Sequence, residues 1–122
     1  MAILRESFED SSPPPNASYP WFAVETSASD NGIPVIVVHG EVDRVSAPEL
    51  TDVVGNVLEG IPNTLIFDLS NVKRLGLAGV RVIDYAAQAL AEGAPIVLRR
   101  PQPRVRRMLE LTHTDDFCTI ED

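Results

Sequence analysis

In this 122-residue chain, the carboxylates Glu41, Asp43 and Asp68 stand at or just past the ends of apolar runs. Open α/β sheets hold their sites at the carboxyl ends of strands, so the three admit an acid–base pair as one reading. A solvated loop or a helix cap is the more ordinary reading. His39 and His113 are far apart and neither has a close ligand partner, which is not the spacing of a zinc site. His39 ends an apolar run and reads as a hydrogen-bonded strand histidine. Cys118 is the single cysteine, so neither an intrachain disulfide nor a cysteine-based metal cluster can form. The chain has no Gly-x-Ser-x-Gly elbow, no Walker loop and no Gly-x-Gly-x-x-Gly. Gly76-Leu77-Ala78-Gly79 is too short for a phosphate loop and carries no lysine. No catalytic, cofactor or metal constellation emerges, and the residues give little support for an enzyme.

Charge narrows the partners further. The formal net charge is −8, whereas a nucleic-acid-binding domain normally carries a basic balance. Arg99, Arg100, Arg104, Arg106 and Arg107 form a local basic cluster. No aromatic residues interleave with them to stack bases. The cluster therefore reads as a solvated face whose aliphatic stems cover the core, and specific nucleic-acid binding is not expected. No window of 18 apolar residues and no apolar leader core is present, so the expectation is a cytoplasmic chain with no membrane insertion.

The elements that must position these residues are legible from pattern. Residues 1–20 include Ser11-Ser12-Pro13-Pro14-Pro15-Asn16 and read as a flexible Pro/Ser-rich arm before a single domain over 21–122. Trp21–Ser27 alternates and predicts a strand. Ser29-Asp30-Asn31-Gly32 predicts a turn. Ile33–His39 is a continuous apolar run and predicts a strand buried on both faces. Ser46 and Glu49 form a capping-box pattern, with Pro48 in the first turn. A helix with Leu50, Val53, Val54, Val57 and Leu58 inward follows, closed by Gly60 and Pro62. Thr64–Leu69 predicts the next strand. Residues 77–91 predict a helix with Leu77, Val80, Ile83, Ala86, Ala87 and Leu90 on its apolar face. Pro95–Leu98, Arg104–Leu111 and Phe117–Ile120 predict a strand, a helix and a last strand. The order ββαβαβαβ implies an α/β fold with a mixed, mostly parallel five-stranded sheet covered by three main helices and one antiparallel pair at an edge.

Three stretches in this order carry a resemblance. They are Gly40-Glu41-Val42-Asp43 before the capped helix, Leu65–Val72 leading through Lys73-Arg74-Leu75 into Gly76-Leu77-Ala78-Gly79-Val80, and Pro95–Leu98 followed by a basic loop, Val105–Thr112 and Phe117. Together they resemble the STAS domain of bacterial anti-sigma factor antagonists and of the soluble domains of sulfate transporters.

The resemblance implies a protein-binding module that takes an anti-sigma factor of the serine-kinase type and so frees a sigma factor. In that family the kinase phosphorylates a serine within Asp-Ser-Ser-Gly-Leu at the start of a helix. Gly76-Leu77-Ala78-Gly79-Val80 stands at that place here, with Ala78 at the acceptor position. The hydroxyl is gone, so the resemblance implies an antagonist that cannot be phosphorylated at the usual site. The implied interface joins the loop Glu41, Asp43, Arg44 and Ser46 to Asn71, Leu75, Gly76, Leu77, Ala78, Gly79 and Arg81. Asp43 and Arg44 would give polar recognition and Leu77 apolar area. Val80 reads equally as surface or core. An accessory subunit of an ABC-type transport ATPase, or a scaffold in a regulatory complex, is the alternative.

Overall fold

A computed structural model describes residues 19–29, 31–90 and 93–122. The expected arm lies outside the described residues except for Tyr19 and Pro20. The elements are β1 (Phe22–Ala28), β2 (Pro34–Val42), α1 (Ala47–Leu58), β3 (Leu65–Leu75), α2 (Leu77–Ala89), β4 (Ile96–Arg99), α3 (Pro103–Leu111) and β5 (Thr119–Glu121). The sheet order is β1-β2-β3-β4-β5. The β1–β2 pair is antiparallel and the other three pairs are parallel. The expected order and pairing are thus observed.

The local causes are plain. Ser29 closes the β1–β2 hairpin by accepting from Gly32 N–H on its carbonyl (2.9 Å) and from Ile33 N–H on its hydroxyl (3.1 Å). Gly32 has φ +78°, a conformation glycine adopts without a Cβ clash. Each parallel connection runs through one α-helix, the last followed by a 3₁₀ turn at Thr114–Asp116, as crossover geometry requires. The core gathers Ile36 and Val38 of β2, Leu65, Phe67 and Leu69 of β3, and Ile96 and Leu98 of β4. Against them pack Leu50 and Val54 of α1, Val80 and Ile83 of α2, and Val105 and Leu109 of α3. Val35, on the opposite pleat of β2 from Ile36, is also buried, but Val37 and His39 on that pleat are half-buried, so the run is fully covered on one face and only partly on the other.

Four expectations are corrected in detail. The third strand does not stop at Leu69 but runs to Leu75. β4 pairs only with Leu65–Asp68, so the rest of β3 has one partner, β2, and its polar residues Asn71, Lys73 and Arg74 face water. The first helix starts without the capping box. Ser46 lies in the right-handed helical region (φ −89°, ψ −20°) and makes no side-chain cap bond to it. The turn residue is Asp43 instead. The residue with left-handed backbone after α1 is Ile61 (φ 52°), not Gly60. Its N–H reaches back to Leu58 O (2.9 Å) in a tight turn ahead of Pro62. Finally, Leu77 is not on the inner face of α2. It is 60% exposed, and Val82 is buried instead.

Candidate protein-binding surface

The sheet brings two segments of chain together at one end. β2 and β3 extend together beyond β4, and their last pair is Val42 with Leu75. The register shifts twice on the way, between Val37 and His39 and between Gly40 and Glu41, with one extra residue on β3 each time. Gly40 has φ +87°, and a Cβ on it would sit 2.0 Å from Trp21 O. Only glycine fits that approach, which lets Glu41 N–H donate to the same Trp21 carbonyl at 2.9 Å.

Past Val42, the chain turns through Asp43–Ser46. Asp43 Oδ1 accepts from Val45 N–H (2.9 Å) and Ser46 N–H (3.1 Å), an Asx-type arrangement that launches α1. Ser46 Oγ accepts from Asp43 N–H (3.0 Å) and donates to Glu41 O (3.2 Å). Ser46 is fully buried, so these bonds fix the loop and the serine itself offers nothing to a partner.

On the neighbouring strand, Gly76 N–H donates to Val42 O (2.9 Å), and α2 begins at Leu77. Gly76 is the N-cap and supplies no side-chain bond. A Cβ on Gly79 would lie 2.5 Å from Leu75 Cδ1 and 2.8 Å from Val42 Cγ1. The missing side chain therefore lets the first turn of α2 sit directly on the ends of both strands.

The expected site residues divide by burial. Ser46, Leu75 and Gly79 are buried and form the base of the surface. Asp43, Arg44, Leu77 and Arg81 are exposed, while Glu41, Gly76 and Ala78 are half-buried. Arg44, Leu77, Ala78 and Arg81 come together as walls of one groove of about 470 Å³ between α1 and α2. Asn71 stands apart from it, opposite His39 on the strand extension. Val80 belongs to the core. Position 78 carries a methyl group, so no hydroxyl is present at the start of α2 beside the loop.

Several surface residues were not anticipated. Tyr85 lines the groove and is 42% exposed; Val45 is 56% exposed. The spacing Leu77, Arg81, Tyr85 is i, i+4, i+8, one stripe of a helix, and that periodicity was available in the sequence. Tyr19 donates from its hydroxyl to Val45 O (3.5 Å) and stacks on Trp21 with ring centroids 4.9 Å apart.

The other candidate groups have structural partners. Asp68 Oδ1 accepts from Ser70 N–H (3.0 Å) and Ser70 Oγ (2.7 Å). It pairs in register with Val37, and Val42, the last residue of β2 before Asp43, lies about 16 Å further along the strand at the strand rise. The two cannot act as an acid–base pair. His39 Nε2 meets Glu25 Oε2 at 2.9 Å across the β1–β2 pair. Arg99 pairs with Glu121, and Arg106 with Asp122. Burial, with the negative charge of Asp84 adding to it, pushes the Cys118 thiol up to about 12, which keeps it protonated and unreactive. No helix among the described residues is long and apolar enough to cross a membrane.

Comparisons with known proteins bear on the family and the fold. The model of the STAS domain family matches residues 26–122. The anti-sigma-F factor antagonist RsfB of Mycobacterium tuberculosis is 28% identical over 101 residues, spanning 80% of this chain and 83% of that protein. The crystal structure of an anti-sigma factor antagonist from Mycobacterium paratuberculosis superposes with a TM-score of 0.74 at 29% identity, over 86% of this chain and 89% of its own. The anti-sigma factor antagonist SpoIIAA in its unphosphorylated form shares the fold, with a TM-score of 0.69 at 18% identity over 82% of this chain and 89% of its own.

Proposed function

This chain belongs to the STAS domain family, and from that premise we propose that it is a non-catalytic binding module that captures an anti-sigma factor in the cytoplasm and thereby regulates transcription by a sigma factor. The likeness to anti-sigma factor antagonists supports the class of partner. One observation carries the choice of surface. The Asp43–Ser46 loop and the first turn of α2 lie side by side because Val42 pairs with Leu75 and Gly76 bonds back to Val42.

The same place decides the regulation. A phosphoserine would add about −1.5 to −2 charges there, repelling or desolvating against a partner. Ala78 accepts no phosphoryl group, so a kinase-type anti-sigma factor cannot release itself by modifying position 78. The module is therefore a constitutive antagonist at this site, and control lies in its abundance or in another signal.

The test is a calorimetric titration of the purified chain with the serine-kinase anti-sigma factors encoded in the same genome, followed by displacement of the bound sigma factor. A saturable complex that frees sigma factor is the expected result. Failure of all such kinases to bind would remove the anti-sigma reading while leaving the fold untouched.

A further inference from the structure

The groove between α1 and α2 has a charge pattern unlike the rest of the molecule. The chain holds 18 acidic residues against 10 lysines and arginines. Yet the groove is lined by two arginines, Arg44 and Arg81, and by no carboxylate. Among the described residues, neither arginine has an acidic partner within 4.0 Å, whereas Arg99 and Arg106 each do. The rest of the lining is mostly apolar: Ala47 and Pro48 from α1, and Leu77, Ala78, Val82 and Tyr85 from α2, with Thr51 spending its hydroxyl on Ala47 O (3.0 Å). Leu77 is 60% exposed and Tyr85 42%, so both present apolar area to whatever enters.

Guanidinium groups match carboxylates with two parallel hydrogen bonds. Tyrosine and arginine side chains are among the anchors that dominate interface energies. We propose that this groove receives an acidic amphipathic segment of the partner protein, with apolar side chains against Leu77 and Tyr85 and carboxylates reaching Arg81, which stands between those two on α2, and Arg44 at the start of α1. The inference rests on the reading of the chain as a binding module and adds the chemistry of the segment that it binds. It also extends the interface along α2 to Tyr85, away from the loop.

The probe is the serine-kinase anti-sigma factor that binds the full chain. In one arm Tyr85 is replaced by the photo-crosslinker p-benzoyl-phenylalanine and the linked peptide is sequenced. The crosslink is expected on a partner segment with at least two Asp or Glu residues within one helical turn of a large apolar side chain. In the second arm Arg44→Glu and Arg81→Glu are combined. The double variant is expected to melt like the parent, because both side chains are exposed and unpaired among the described residues. It is expected to bind at least about tenfold more weakly, with a reduced association rate and a flatter salt dependence. Changing the crosslinked carboxylates of the partner to Arg is expected to restore binding to the double variant.

Binding unchanged by the double reversal, or a crosslink to a neutral or basic segment, would overturn the inference while leaving the proposed function standing. A crosslink to residues 1–18 of the same chain, or to a second copy, would assign the groove to another occupant and overturn it as well. Absence of any complex with the parent chain would remove the proposed function, and this inference with it.

Discussion

Two glycine-to-alanine substitutions should act with opposite signs. Gly55 lies inside α1, and a Cβ there would meet nothing closer than the Tyr85 hydroxyl at 3.7 Å, an ordinary contact. Alanine should therefore realise most of its helix advantage of about 0.5–1 kcal/mol. Gly79 lies in the first turn of α2, where that advantage is smaller. Its Cβ would meet Leu75 Cδ1 at 2.5 Å, Val42 Cγ1 at 2.8 Å and Val42 Cβ at 3.1 Å. Carbon atoms rest about 3.5–4.0 Å apart, so the neighbours must give by nearly an ångström. Leu75 and Val42 are 3% and 1% exposed, which leaves them little room to move. Overpacking of this kind costs about 1–3 kcal/mol, more than the propensity gain. For a domain near this size, 1 kcal/mol moves the melting temperature by about 4–8 °C. Gly79→Ala should lower it by roughly 5–15 °C, and Gly55→Ala should raise it by roughly 2–6 °C. Calorimetric melts of both variants beside the parent are the assay. A Gly79→Ala protein as stable as the parent would refute the close seating of α2 on the strand ends, and with it the geometry of the candidate surface.

Other perturbations probe the same surface and the core. Ser46→Ala removes the bonds to the Asp43 N–H and the Glu41 carbonyl in a part-buried loop and should cost about 0.5–1.5 kcal/mol in urea titrations; an unchanged midpoint would show that those bonds contribute nothing. Ala78→Asp puts an anion at a helix start, where it is tolerated or favourable by about 0.3–1 kcal/mol. The fold should survive in a melting curve while partner affinity falls at least about tenfold, and parent-like affinity would place the interface elsewhere. The Cys118 thiol is held protonated up to about 12 when folded but ionises near 9.0 when unfolded. The unfolded state thus binds fewer protons in that window, and stability falls as pH rises through it. Urea midpoints at pH 7 and pH 10 should drop more in the parent than in Cys118→Ala; equal drops would assign the alkaline loss to other groups.

The order of elements was legible because each has its own period. The apolar run Ile33–His39 is short and rich in β-branched residues, which favours a strand over a helix, and Leu50, Val53, Val54, Val57 and Leu58 fall on one side of a helix. The length of β3 was not legible. Asn71, Lys73 and Arg74 look like loop residues, and what keeps them in strand conformation is the neighbouring end of β2. The capping box failed for a related reason. Ser46 has the right spacing to Glu49, but a buried hydroxyl takes the nearest unpaired backbone groups, and those belong to Glu41 and Asp43. Leu77 fits the apolar period of α2 yet faces outward, because Gly79 turns the buried side of the first turn toward Val42. For the candidate surface, the sequence supplied the two segments and the missing hydroxyl at Ala78. It did not supply the groove, since the facing of Arg44 and Ala47 against Arg81 and Tyr85 depends on how two helices pack.

The central claim is capture of an anti-sigma factor that phosphorylation at the start of α2 cannot undo. The measurement that tests it most directly is the dissociation rate of the complex between the full chain and the serine-kinase anti-sigma factor proposed as its partner, followed with and without ATP, with mass spectrometry of the chain after each run. The account predicts the same dissociation rate with and without ATP, and no phosphoryl group on any serine or threonine of this chain after either run. A complex dissolved by ATP together with a phosphorylated serine or threonine on this chain would contradict it, because the switch would then operate from a residue other than Ala78.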